Sequence, residues 1–136
     1  MTDIVAIIPA RMGSKSIINK NIINLSGHPL IAYSIAVAKM SLKIDRVIVS
    51  TNSKEYADIA KKYGAEVPFI RPEKYSKDYS TDRDFLLHAM NWFDKYENFS
   101  PEYWVHLRPT TPLRIFEVVD NAISEIIENK NASSLR

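Results

Sequence analysis

The segment Ile8-Pro9-Ala10-Arg11-Met12-Gly13-Ser14-Lys15, followed by Lys20-Asn21, places an arginine, two lysines and a glycine directly after an apolar run. Arginine and lysine donate charge-assisted hydrogen bonds to phosphate oxygens. A glycine that enters the left-handed region lets backbone N–H groups approach the same anion. These residue types, so spaced, suit a polyphosphate. The loop is not a Walker A element, because no Gly-Lys-Ser/Thr follows Gly13 at the required spacing. From the residues alone it reads either as an anion site or as a solvated basic loop.

What must position that loop is the run before it. Ile4-Val5-Ala6-Ile7-Ile8 is continuously apolar and rich in β-branched residues, the pattern of a strand buried on both faces of a parallel sheet. Ile22-Ile23-Asn24-Leu25 reads as a short extended piece, and Ser26-Gly27-His28-Pro29 turns the chain into a helix over Leu30 to Met40, with Pro29 suited to its first turn. A second buried strand spans Arg46 to Thr51. Asn52-Ser53 then caps a helix carrying Tyr56, Ile59, Ala60 and Tyr63 on one face, which Gly64 ends. Glu66 to Ile70 reads as extended, and Pro72 pushes Arg71 into an extended backbone.

Thr81 with Asp84 forms a capping-box start for a long helix through Phe85, Ala89, Trp92 and Tyr96, with Trp92, Phe93 and Tyr96 read as core. Tyr103 to Leu107 is the third strand. After Arg108-Pro109-Thr110-Thr111-Pro112-Leu113-Arg114 comes a helix with Phe116, Val119, Ile123, Ile126 and Ile127 inward. Strand and helix alternate, which predicts a single α/β domain over residues 1–136, an open, mostly parallel sheet with helices on both faces. The loops Arg11 to Asn21, Thr51 to Ser53 and Arg108 to Arg114 then converge on one sheet edge, with Arg71 to Asp82 in reach. Such an edge is where open α/β sheets bind ligands, and its cations suit a nucleoside triphosphate or a sugar acid.

Composition limits the alternatives. With 136 residues, 46% hydrophobic, the chain has room for one core. A net charge of +2, without a basic stripe, favours no nucleic-acid partner. The chain has no cysteine, so disulfides and Cys-type zinc sites are excluded. No apolar run approaches the ~20 residues of a membrane span, and Met1-Thr2-Asp3 shows no signal-peptide charge pattern. The expectation is a cytoplasmic protein with no membrane partner.

The motifs quoted so far, together with Gly27-x-Pro29-Leu30, Val49-Ser50-Thr51-Asn52, Gly64-Ala65-Glu66, Arg71-Pro72, Asp78 and Pro109-Thr110-Thr111-Pro112-Leu113-Arg114, resemble in order the acylneuraminate cytidylyltransferases. These are the CMP-sialic acid synthetases and their legionaminate and pseudaminate relatives. The resemblance implies a Rossmann-like nucleotidyltransferase fold. It also implies transfer of CMP from CTP to a sialic-acid-like nonulosonic acid, with release of pyrophosphate and help from magnesium. Matched by motif, Ala10, Arg11, Gly13, Ser14, Lys15, Lys20, Asn21, Arg71, Ser80 and Asp82 would surround the nucleotide, with Arg11 and Lys20 as the catalytic charges. Arg108, Thr110 and Arg114 would face the acceptor sugar. The fork of Arg71 is offered to the O2 and N3 acceptors of cytosine.

The departures are specific. Met12 and Ser16 stand where the family commonly has glycine, predicting a stiffer loop. Asp82 replaces a small hydroxyl residue, and Arg108 a glutamine. The family continues well beyond this length with further strands, a dimerisation region and the aspartate pair that binds magnesium, so the expectation is a chain truncated at the C-terminus, without metal ligands. The full-length family is homodimeric. A non-catalytic CTP-binding module is the competing reading, and a ketodeoxyoctonate cytidylyltransferase is a lesser one, since Ser14-Lys15 and Lys20-Asn21 differ from its Ser-Thr-Arg and Lys-Pro. Asp78 and Asp82 read as caps ahead of metal ligands. His28 and His88 read as structural, and His106, closing a strand near the loops, is the best placed of the three.

Overall fold

The computed structural model describes residues 3–136. Its centre is β1 (Ile4–Pro9), whose residues from Ile4 to Ile8 are all buried. Parallel partners flank it, β4 (Arg46–Ser50) on one side and β5 (Tyr103–His106) on the other, giving the order β4-β1-β5. Ile7 pairs with Ile48 on one side and with His106 on the other. Alternate side chains of β1 point to opposite faces, so both faces need covering.

Helices supply the cover. Ala6, Ile8 and Ala10 pack with Ile31 and Ile35 of α1 (Leu30–Met40), Tyr56 and Ala60 of α2 (Lys54–Lys62), and Val119 of α4 (Phe116–Glu128). Val5, Ile7 and Ile48 pack on the other face with Phe85, Ala89 and Phe93 of α3 (Asp82–Glu97). This is the expected parallel α/β sheet with helices on both faces. The chain leaves β1 for β4 and later passes back across β1 to β5. The strand order therefore reverses at β1, and a crevice opens at the carboxyl ends beside it.

Most boundaries fall where the sequence places them. Ser53 caps α2 by accepting from the Tyr56 amide at 3.2 Å. Thr81 and Asp84 complete their reciprocal capping box on α3. Gly64, at φ +98°, closes α2 in a conformation that side-chain-bearing residues avoid.

Four expectations are corrected. Residues Lys20–Ile22 form a 3-10 turn, so the extended piece begins only at β2 (Asn24–Leu25). Pro29 does not enter the first turn of α1. It ends β3 (His28–Pro29), which pairs antiparallel with β2 across Ser26-Gly27, both at positive φ, and sits at the N-cap position. The extended stretch from Glu66 reduces to one parallel bridge, Ile48 to Glu66, because Phe69 turns inward against α3. Tyr96 is 62% exposed and lies beside Trp92 at the rim, so only Phe93 of that trio is fully buried.

One structural residue escapes the pattern reading. Asp120, 9% exposed on α4, accepts a hydrogen bond from the Ser41 hydroxyl and another from the Leu42 amide at 3.0 Å, tying α4 to the end of α1. Replacing one partner of a buried charge-assisted bond strands the others. Asp120→Ala is expected to destabilise the chain by about 2 kcal/mol in urea unfolding. Ser41→Ala is expected to cost less in the Asp120→Ala background than in the wild-type chain, because the bond to Asp120 is already gone and only those accepted from the Lys43 and Ile44 amides at 3.1 Å remain to be lost.

Candidate active site

A polar cavity of about 180 Å³ opens at the carboxyl edge of the sheet. Its walls come from the loop after β1, from the segment leading into α3, and from the loop after β5.

The first wall is held in place at several points. The Ala10 amide donates to the Ser50 carbonyl at 2.9 Å, continuing the strand ladder one residue past β1. Gly13 adopts φ +97°, and the Arg11 guanidinium reaches back to its carbonyl at 3.2 Å. A Cβ at Gly13 would meet only the Arg11 tip at 3.9 Å, so glycine is required by dihedral angle and not by space. The Met12 amide donates to the Asn52 side chain at 2.7 Å. Asn19, at φ 53°, accepts from the hydroxyl of fully buried Tyr56 at 2.8 Å. Asn21 is buried and its amide donates to the Arg11 carbonyl at 3.0 Å. Arg11, Ser14, Lys20 and Asn21 line the cavity. Ala10 is buried behind them.

Arg71 forms the floor. It is 4% exposed, and its guanidinium donates to the Ser50 carbonyl at 2.8 Å and the Tyr75 carbonyl at 3.2 Å while lying over the Phe85 ring at 5.4 Å. Its Nε has no partner. Burial, and secondarily the nearby Arg11 charge, push its pKa down to about 10. The fork expected to read cytosine is therefore largely spent on the backbone, and what Arg71 turns to the cavity is a buried cation without a carboxylate. Ser80 lines the wall above, its hydroxyl accepting from the Lys77 amide at 2.9 Å.

The rim is built of ion pairs. Asp82 does not cap α3. It is the first residue of that helix and pairs with the guanidinium of Arg108, and both line the cavity together with Thr110. Asp78 does not cap either. It bridges Arg11 at 3.0 Å and Lys15 at 2.9 Å, and the Lys15 hydrogen bond with the neighbouring cations holds its carboxyl below the usual range. Lys15 and Gly13 lie outside the cavity wall. Arg114, expected at the acceptor sugar, instead donates to the Arg108 carbonyl at 2.9 Å and the Ser34 hydroxyl at 3.2 Å. It braces the loop and does not line the cavity.

The sequence reading missed Asn52, Phe85 and Asn19. Asn52 ties the loop after β1 to Glu73, donating to its carboxylate at 3.1 Å. The loop after β4 thus supports the cavity without lining it. The available signal was Asn52 beside a separate capping residue, Ser53, which left its side chain free to bridge. Among the described residues no group of three or more His, Asp or Glu side chains gathers to hold a metal ion, and Asp78 and Asp82 are committed to cations.

Residues 5–135 match the family described as cytidylyltransferase. The chain is 42% identical over 113 residues to the N-acylneuraminate cytidylyltransferase of Escherichia coli O18:K1:H7, covering 83% of this chain and 26% of that protein. It is 38% identical over 120 residues to the CMP-N,N'-diacetyllegionaminic acid synthase of Legionella pneumophila, covering 88% and 51%. The chain thus spans between a quarter and about half of the length of these relatives. Among solved structures, it superposes on a CMP:2-keto-3-deoxy-manno-octonic acid synthetase complexed with CTP, with a TM-score of 0.79 at 18% identity, over 94% of this chain and 48% of that one. That likeness establishes the same fold.

The histidines near the site are packed rings. His106 stands edge-on to Phe85 at 5.2 Å and His88 edge-on to Phe69 at 4.7 Å, with His106 Nε2 and His88 Nδ1 buried without partners. Burial, chiefly, lowers both pKa values below 6.5. The unfolded chain therefore binds more protons than the folded one as pH falls through about 6.5, and stability drops in that direction. Urea midpoints are expected to fall between pH 7.5 and 5.5, and the decline should flatten in a His88→Phe/His106→Phe variant. An equally steep decline would assign it to other groups.

Proposed function

The chain belongs to the cytidylyltransferase family, and from that premise we propose that it forms the CTP-binding portion of an enzyme that transfers CMP to a sialic-acid-like nonulosonic acid. The observation that carries the reading is the convergence of Arg11, Lys20 and buried Arg71 with Asn21 and Ser80 on one cavity at the sheet's carboxyl edge. In the reaction, the sugar's anomeric oxygen bonds to the α-phosphorus while the oxygen bridging to the β-phosphorus departs with pyrophosphate. Positioning and charge neutralisation supply most of the acceleration in such transfers. Arg11 and Lys20, on the wall formed by the loop after β1, face the departing pyrophosphate. Ser80 and the floor over Arg71 take the cytidine, and Arg108 and Thr110 stand toward the acceptor. The named relatives act with N-acylneuraminate and diacetyllegionaminic acid, which supports an acidic nine-carbon acceptor. The setting we propose is cytoplasmic, within a homodimer, as the resemblance implies.

Calorimetry with CTP, ATP and GTP tests the nucleotide, and pyrophosphate release with a panel of nonulosonic acids tests the reaction. CTP is expected to bind best, and Lys20→Ala to weaken it roughly tenfold or more, the size of one lost charge-assisted contact. Equal binding of the three nucleotides would overturn the reading. CTP binding without release of pyrophosphate would favour the non-catalytic module.

A further inference from the structure

The carboxylate of Asp78 is held by two cations of the loop after β1. One oxygen is 3.0 Å from an Arg11 guanidinium nitrogen and the other 2.9 Å from the Lys15 ammonium. A planar dioxyanion spanning two cations four residues apart has the spacing of a phosphate group held by the same pair. Arg11 belongs to the cavity wall, whereas Lys15 is 83% exposed at its side chain and Asp78 is its ion-pair partner. Asp78 itself lies on an irregular segment between the Glu73–Tyr75 turn and α3, where Lys77 and Ser80 make the local hydrogen bonds. Asp78 belongs to no strand or helix, so a change of its partner breaks neither.

We propose that Asp78 is an internal stand-in for a ligand phosphate: a bound polyphosphate displaces it from Arg11 and Lys15, and Asp78 recaptures both cations when the polyphosphate leaves. This rests on the anion-site part of the function proposed above and adds a residue that tunes how tightly the polyphosphate is held. The exchange of one anion for another keeps the cations compensated throughout, so the loop is never left with adjacent unpaired charges. It also weakens the net hold on polyphosphate, because binding must first break two existing pairs. A residue that only positioned Arg11 would act in the opposite direction, and its loss would weaken binding.

The probe is inorganic tripolyphosphate, titrated at fixed ionic strength into the wild-type chain, Asp78→Asn, Asp78→Glu and Lys15→Met with and without Asp78→Asn. Asp78→Asn is expected to tighten tripolyphosphate about fivefold, the scale of two exposed ion pairs, while Asp78→Glu stays near wild type. The gain should shrink in the Lys15→Met background, since one of the contested cations is gone. Unchanged or weakened binding in Asp78→Asn, a gain indifferent to Lys15, or no tripolyphosphate binding by any chain would overturn the exchange. Titration of CTP, ATP and GTP alongside separates the two proposals. Loss of CTP preference with the Asp78→Asn gain intact defeats only the assigned function. Retained CTP preference with no gain defeats only the exchange.

Discussion

The carbonyl oxygen of Ser50 is the joint on which the ligand edge depends. It accepts the Ala10 amide at 2.9 Å and the Arg71 guanidinium at 2.8 Å, while the neighbouring Thr51 carbonyl accepts the Arg71 amide at 2.7 Å. Three segments distant in sequence therefore meet at the end of one strand. The parallel register of β1 and β4 places Ser50 opposite Pro9, so the joint exists only if both strands end together. A carbonyl has two lone pairs, and here one extends the β1–β4 ladder while the other anchors Arg71. Once it forms, the basic loop leaves the sheet at a fixed height and Arg71 has a fixed floor.

The electrostatics follow from that geometry. Arg71 is held in the interior by carbonyl dipoles and the face of Phe85, not by a carboxylate, and burial lowers its pKa. Leaving a guanidinium charge partly uncompensated is costly in isolation. Around the rim the balance is reversed, since Asp78 and Asp82 meet Arg11, Lys15 and Arg108 one after another. The edge thus combines a buried cation held by carbonyls with surface cations each paired to a carboxylate, the contrast on which the proposed anion exchange rests.

The fold was legible because its strongest signals are long. The runs at Ile4 to Ile8 and Arg46 to Ser50 carry the apolar, β-branched pattern of double-sided strands, and the helices α2 and α3 carry recognisable caps. Short elements were not legible, since the β2–β3 hairpin depends on positive φ at Ser26 and Gly27 and the bridge at Glu66 on where Phe69 turns. The site was legible as a set of loops but not as a set of bonds. The alternation of strands and loops brought their segments to one edge, the family resemblance singled out Arg11, Lys20, Asn21, Arg71, Ser80, Asp82, Arg108 and Thr110 within them, and all of these line the cavity. Which cation meets which oxygen depends on distances between loops. Hence Arg114 turns to a carbonyl, Lys15 to a carboxylate, and Asn52 becomes a tie between loops.

Two departures that look unrelated in sequence, Asp82 and Arg108, become one feature in space. They lie 26 residues apart, on α3 and on the loop after β5, and their side chains pair across the cavity rim. Each alone would disturb the edge, one by setting a negative charge near a nucleotide and the other by adding to an already cationic rim. Together they are neutral, and Asp82 gains further from lying in the first turn of α3, where the helix dipole favours a carboxylate. Under the proposed function, the pairing also sets a condition on the acceptor. An anionic group that pairs with Arg108 must part it from Asp82 or share its fork, so the rim rewards an acceptor whose carboxylate arrives with enough other contacts to compete. A neutral sugar meets a pair already satisfied.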